Sequence, residues 1–203
     1  MKSARERILD AAVRRIAREG IDDARIARIA TDAGVSSAAV HYHFASREAL
    51  LAEALEYSYE QVGTVRIEDR PGEPPPTATA RLAAMIEQCL PAPGPVRDDF
   101  ILWVELWLRS ARDEELRPIG ARLYVRMREW FAEAIDAGIE SGEMRECDSG
   151  RMADRALALV DGYGVRVVTG DPAMPVERAR REIWEALASD LGLPESPPDV
   201  GGG

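Results

Sequence analysis

Between Arg25 and Phe44 the chain reads RIARIATDAGVSSAAVHYHF, a stretch that leaves the backbone few options. Ile26, Ile29 and Ala30 recur at helical spacing, with Arg25, Arg28 and Asp32 on the other side. Gly34 supplies the residue most tolerant of positive φ at the point where a helix must stop abruptly. Val35 forms an apolar plug, and Ser36 and Ser37 offer hydroxyls to cap a second helix over Ala38 to Phe44. Helix, glycine-containing turn and a second helix with small or polar outward residues make a helix-turn-helix pattern. Its second helix has the dimensions to enter a DNA major groove.

The flanking sequence extends the pattern. Ile8, Leu9, Ala12, Val13 and Ile16 give an amphipathic helix over roughly Ala4 to Gly20, and SREALL after Phe44-Ala45 begins a further capped helix. Taken together, IAREG, RIATDAGVSSAAVHYHF and SREALL, spread over Ile8 to Leu55, resemble the TetR family of bacterial repressors. The residues alone predict that Ser37, Ala38, Ala39, His41, Tyr42 and His43 face outward, beside the capping Ser36, with Val40 and Phe44 in the core. The resemblance implies that Ser37, Ala39, His41 and Tyr42 make the groove contacts. On the same reading Tyr42 and Arg47 grip phosphates, helped by Arg28. The family commonly has Tyr where His41 stands and Thr where Ala24 stands, so this chain departs from it on the groove face and at the cap of the second helix. His41 and His43, two apart on a helix, point away from each other and lack further ligands nearby. No metal site or cofactor is expected.

A net charge of −10 argues at first against a nucleic-acid partner, but the charge is unevenly spread. Residues 1–50 carry nine Lys/Arg against seven Asp/Glu, a balance of +2, and the rest carries −12. A local basic face suffices for phosphates, while an acidic remainder discourages nonspecific adhesion. No apolar run reaches the ~18 residues needed to span a bilayer, and the charged N-terminus is unlike a secretory leader. Cys89 and Cys147 are too few for a disulfide framework. A cytoplasmic chain with no membrane association is the expectation.

The rest of the chain alternates helical stripes with breakers. The helix from Arg47 continues to about Val62 with Leu50, Leu51 and Ala54 inward, longer than a small DNA-binding unit needs. RIEDRPGEPPPT (Arg66 to Thr77) is a loop by its four prolines. A helix capped by Thr77 or Thr79 follows, striped by Leu82, Met85, Ile86 and Cys89. FILWVELWL (Phe100 to Leu108) is apolar except at Glu105 and reads as a buried helix. Amphipathic helices then run from Leu116 to about Gly142, from Arg151 to Thr169 and from Pro175 to Leu191, and a mobile tail follows Leu193. The fold class is all-α. An N-terminal three-helix DNA-binding domain (1–46) precedes a larger helical effector-binding and dimerisation domain (47–193) and the tail (194–203).

Two sites are expected in the larger domain. Met85, Cys89, Trp103, Trp107, Met127, Phe131 and Tyr163 are either ordinary core or the lining of an apolar effector pocket. Glu105 is either neutralised by Arg109 one turn on, or faces that pocket and holds a ligand amine. Leu157, Val160, Gly164, Val167 and Val168 on one helix, with Ile183, Trp184 and Leu187 on the next, exceed what one shallow contact needs and are read as a dimer surface or, for part of them, as burial within the single chain. The C-terminal half resembles the BetI-like regulatory subgroup. The resemblance implies that the last two helices pair with their copies in a four-helix bundle, giving a homodimer on a near-palindromic operator. The function expected is a repressor of transcription responsive to an unidentified small molecule. Absence of GxSxG, HExxH or a Gly-rich phosphate loop speaks against an enzyme. The alternative is a helical protein-interaction module that no longer binds DNA.

Overall fold

The computed structural model describes residues 2–65, 76–114 and 116–198, and the assigned elements among them are helices. They are α1 (Ala4–Asp23), α2 (Ile26–Ala33), α3 (Ser37–His43), α4 (Arg47–Val65), α5 (Ala78–Cys89), α6 (Pro95–Ser110), α7 (Arg117–Glu140), α8 (Ser149–Val168) and α9 (Val176–Leu191). Most of the proline-rich loop lies outside the described residues, as does the last part of the tail.

The chain forms two compact units that do not follow chain order. The first contains Met1–Gly63 and Asp98–Leu123, the second Thr64–Arg97 and Tyr124–Gly203. Most of α6 and the first turns of α7 therefore belong with the N-terminal helices, which a division at residue 46 does not anticipate.

In the first unit, a reciprocal capping box opens α1. Ser3 Oγ accepts from the Glu6 N–H at 3.2 Å, and Glu6 Oε2 accepts from the Ser3 N–H at 2.6 Å. Gly20, at φ 77° and ψ 164°, breaks the helical path, and the chain resumes as a helix to Asp23. α2 starts at Ile26 with Arg25 at the cap position and no side-chain cap, so the cap falls one residue after Ala24. It ends at Gly34 in the left-handed region (φ 65°, ψ 40°), where the Val35 N–H reaches back to the Ala30 carbonyl at 3.0 Å. Arg15 clamps α2 to α1 through two bonds to Asp32, of 2.6 and 3.0 Å, and this guanidinium holds the Asp32 carboxyl below its ordinary range. The core of this unit joins Ile8, Leu9, Ala12, Ile16, Ile29, Val40, Phe44 and Leu50 with Leu102, Leu106 and Leu123. α6 is less enclosed than its composition predicts: Ile101 and Val104 are half-buried and Leu108 is half exposed.

In the second unit α5 packs on α8 and α9, and α8 packs on α9. Thr77 caps α5 locally, accepting from the Ala80 N–H at 3.1 Å. Glu143, more than sixty residues away in sequence, supplies a second cap by accepting from the Ala78 and Thr79 N–H groups at 3.1 and 3.0 Å. The Thr79 bond is the main reason its carboxyl titrates low. Trp184 is fully buried, and its indole N–H donates to the Pro194 carbonyl at 2.8 Å, which ties down the start of the expected tail.

Two outcomes follow from these caps. Gly34→Ala meets no steric obstacle from its Cβ, so its cost is the left-handed backbone alone, about 1–2 kcal/mol, read from the urea unfolding midpoint. Glu143→Ala lowers stability at pH 7 by about 1 kcal/mol. Because a lowered carboxyl pKa stabilises the fold above the unfolded value and is lost as pH falls through the folded value, wild type and variant converge as pH falls below the ordinary glutamate range in the same assay.

Candidate functional site

α3 has seven residues, and local geometry sets which of them face out. Its cap Ser36 accepts from the Ala39 N–H at 3.1 Å, and the Phe44 N–H closes the other end on the Val40 carbonyl at 2.9 Å. Val40 and Phe44, four apart, are buried at 0% and 2% exposure. Rotation about the axis then leaves Ser36, Ser37, Ala38 and His41 exposed, Ala39 half-buried, and Tyr42 at 86% exposure. An aromatic ring that open contributes nothing to the core. His43 is half-buried, its ring between Tyr42 (5.2 Å, edge-on) and Phe44 (6.3 Å). It lies on the flank of the helix.

The cations around α3 are differently committed. Arg47 is half-buried, and its Nε donates to the Ala24 carbonyl at 3.3 Å, so part of the guanidinium is engaged inside the domain. Arg28 is exposed but pairs with Glu19 at 3.3 Å. Arg25 is exposed beside it, in a cleft that Glu19 and Asp23 also line. Arg5 stacks over the Phe44 ring at 5.5 Å and pairs with Glu53 of α4. From the sequence Arg25 is placed on the polar side of α2 without a DNA contact assigned to it, and Arg5 is passed over, since it stands outside the motif.

The first unit also holds α4 by polar contacts from three consecutive residues, Glu56, Tyr57 and Ser58. Tyr57 donates to Asp10 of α1 at 3.0 Å, with Lys2 on the other carboxylate oxygen at 2.6 Å. Ser58 donates to Asp99 of α6 at 2.9 Å, and Arg122 of α7 donates to Glu56 at 2.8 Å. One helix thus grips α1 beneath the recognition helix and also α6 and α7.

The residues expected to line an effector pocket fall in separate units. Trp103, Trp107 and Glu105 belong to the first. Phe100 stands between the two indoles, with ring centres 6.4 and 6.5 Å away, and the buried Trp103 Nε1 has no hydrogen-bond partner among the described residues. Glu105 does not share that surface. Positions two apart on a helix point about 200° apart, so Glu105 faces away from both indoles. It lines an open cleft of about 610 Å³ with Leu108, Arg109, Arg112, Asp113 and Glu114, and a Cβ placed on Gly20 would stand 3.8 Å from its Oε1.

Met85, Cys89, Met127 and Phe131 are buried in the second unit, and Tyr163 is half-buried. Three polar residues not singled out from the sequence join them there. Tyr124 donates its hydroxyl to Asp161 Oδ2, and burial is the chief reason both groups titrate high. Gln88 is buried on α5, next to Cys89, whose thiol is pushed up to about 12 by burial and then by the Asp161 charge. The signal for Asp161 was present: it is a lone acid in ALALVDGYG, as conspicuous as Glu105 in its own apolar run.

The dimerisation set needs correction. Leu157, Val160, Gly164, Ile183, Trp184 and Leu187 are buried in the single chain, where α5, α8 and α9 pack on one another and Trp184 also meets the Pro194 carbonyl. Val167 and Val168 are half-buried. The open face of α8 carries Ala158, Gly162 and Val165 instead, with Val165 42% exposed and nothing within 4 Å of a Cβ built on Gly162.

Comparison with known proteins matches this architecture. Residues 8–54 match the family model for bacterial regulatory proteins of the TetR family, and residues 78–192 match the C-terminal domain of BetI-type transcriptional repressors. The HTH-type transcriptional regulator BetI of Brucella anthropi is 28% identical over 192 residues, covering 92% of this chain and 93% of its own. A transcriptional regulator of Saccharomonospora viridis, solved in complex with choline, is 32% identical with a TM-score of 0.78 and covers 93% of this chain and 97% of its own. A TetR-family regulator from Rhodococcus sp. is 30% identical with a TM-score of 0.81, covering 94% and 100%. Among the described residues no helix is long and apolar enough to cross a membrane. The chain belongs to the TetR family of DNA-binding transcriptional regulators and carries a BetI-type C-terminal domain.

Proposed function

We propose that this regulator is a homodimeric repressor that lays the α3 helices of two chains into successive major-groove turns of a near-palindromic operator and is controlled by a small molecule. The observation that carries the reading is Tyr42, open to solvent beside His41 on a helix whose opposite side is locked in the core. Ser37, Ala38 and Ala39 at the start of that helix are small enough to let it approach base edges, and alanine can meet a thymine methyl. Tyr42, Arg25 and Arg28 contact phosphates, while Arg47 ties the start of α4 to the Ala24 carbonyl between α1 and α2.

The second chain seats on the outer face of α8, where Ala158, Gly162 and Val165 allow close helix approach. A two-fold pairing sets the half-sites about 34–36 Å apart or at a multiple. The effector acts on the helical regulatory part, and α4 carries its influence through the Glu56, Tyr57 and Ser58 contacts. A coupling of about 1–3 kcal/mol changes operator affinity roughly five- to 150-fold, and operator must change ligand affinity by the same factor. The choline held by the Saccharomonospora viridis relative supports a small organic ligand for this part of the fold.

Operator fragments selected from genomic DNA test the reading directly. Tyr42→Ala weakens binding to them roughly five- to hundredfold in fluorescence anisotropy while the unfolding midpoint stays put, since the ring is exposed; unchanged affinity rejects the groove assignment. Val165→Arg shifts the chain from dimer to monomer in sedimentation velocity, and a persistent dimer rejects the α8 face.

A further inference from the structure

The second unit contains a carboxylate that the chain itself leaves half-answered. Asp161 Oδ2 accepts the Tyr124 hydroxyl, but its Oδ1 is shielded from solvent and has no hydrogen-bond partner among the described residues. The neighbouring acids of the same region are treated otherwise: Arg128 pairs with Asp154 at 2.9 Å and Arg166 with Asp171 at 2.7 Å. Burial and Tyr124 are the influences on Asp161, with no guanidinium among them. A second acceptor, Gln88 Oε1 on α5, is likewise shielded and unpartnered, on a side chain only 7% exposed. Leaving such oxygens without donors is costly, more so for a charged one.

The surroundings define what could answer them. Tyr124, Met127 and Phe131 follow one another along one face of α7, and Cys89, close enough to feel the Asp161 charge, extends the surface to α5 with Met85. Thioether side chains repack at low cost, so Met85 and Met127 can yield to a guest. The guest must be positive, to stabilise a carboxylate in an apolar setting, and must carry a donor, because an unpartnered oxygen is what awaits it. A quaternary ammonium meets the first condition only, since its nitrogen offers methyl groups in place of N–H.

We propose that Asp161, steadied by Tyr124 and seconded by Gln88, is the anchor for an organic ammonium ion that carries at least one N–H and that serves as the regulator's effector. This rests on the effector-controlled reading above and names the chemistry of that ligand.

N,N-dimethylethanolamine hydrochloride and choline chloride form the deciding pair, because they differ by one methyl in place of the N–H. Isothermal titration of the full chain gives at least about tenfold tighter binding for N,N-dimethylethanolamine. Asp161→Asn keeps the shape and folds with an unchanged or higher thermal midpoint, yet loses about tenfold or more in affinity together with the preference between the two ligands. Gln88→Met, an independent variant, loses a smaller factor and keeps the preference. Equal or tighter choline binding, unaltered affinity in Asp161→Asn, or no binding of either ammonium to wild type overturns the proposal. The effector reading itself fails on a different readout: operator affinity that responds to no metabolite fraction while DNA binding stays intact.

Discussion

Burial of two side chains four residues apart, Val40 and Phe44, is the constraint on which the DNA-reading end depends. A seven-residue helix has no independent stability in water, because nucleation costs more than so few hydrogen bonds return. Fully burying side chains of this size contributes about 1.5–3 kcal/mol each, enough to hold the helix in one rotational setting. That setting places Tyr42 and His41 outward. Gly34 and the Val35-to-Ala30 bond fix where the helix begins, and the Ser36 cap fixes its axis. The reading surface is therefore a by-product of core packing.

The same unit explains how an acidic protein can approach DNA. The acids near α3 are already occupied, with Asp32 on Arg15, Glu19 on Arg15 and Arg28, and Glu53 on Arg5. Such exposed pairs add little stability each. Their effect is on the field, since they leave α3 with no acid of its own and with Arg25 and Arg28 beside it. α4 is tied by Tyr57 and Glu53 to α1 and by Ser58 and Glu56 to α6 and α7, all within one compact unit. A shift of α6 or α7 thus pulls on the helix that follows the reader.

The regulatory half is built on a different balance. Its helices bury Met85, Ile86, Phe131, Ile183 and Trp184, and several of its charges meet at the surface in arginine–carboxylate pairs. Asp161 departs from that rule by lying among apolar helices with only a tyrosine to answer it. Polar groups placed so expensively are where a helical core trades stability for recognition.

Much of this was legible in the residues. Periodicity located the helices, Gly34 and the serines marked the turn, and the spacing of Val40 and Phe44 identified the outward face of α3, because all of these are local consequences of 3.6 residues per turn. What the sequence could not settle is which of several apolar faces meets which neighbour. Leu157, Ile183 and Trp184 looked like surface for a second chain, but they are buried where α5, α8 and α9 pack together; Glu105 was open to two readings, a partner in Arg109 or a place in an aromatic pocket, and helix rotation turns it to an open cleft that Arg109 also lines. Glu143 capping α5, α6 joining the N-terminal unit and Tyr124 meeting Asp161 all join residues tens of positions apart. Such pairings depend on how long helices pack, and only the folded chain decides them, because a stripe of hydrophobic side chains specifies that it must be buried and says nothing of what buries it.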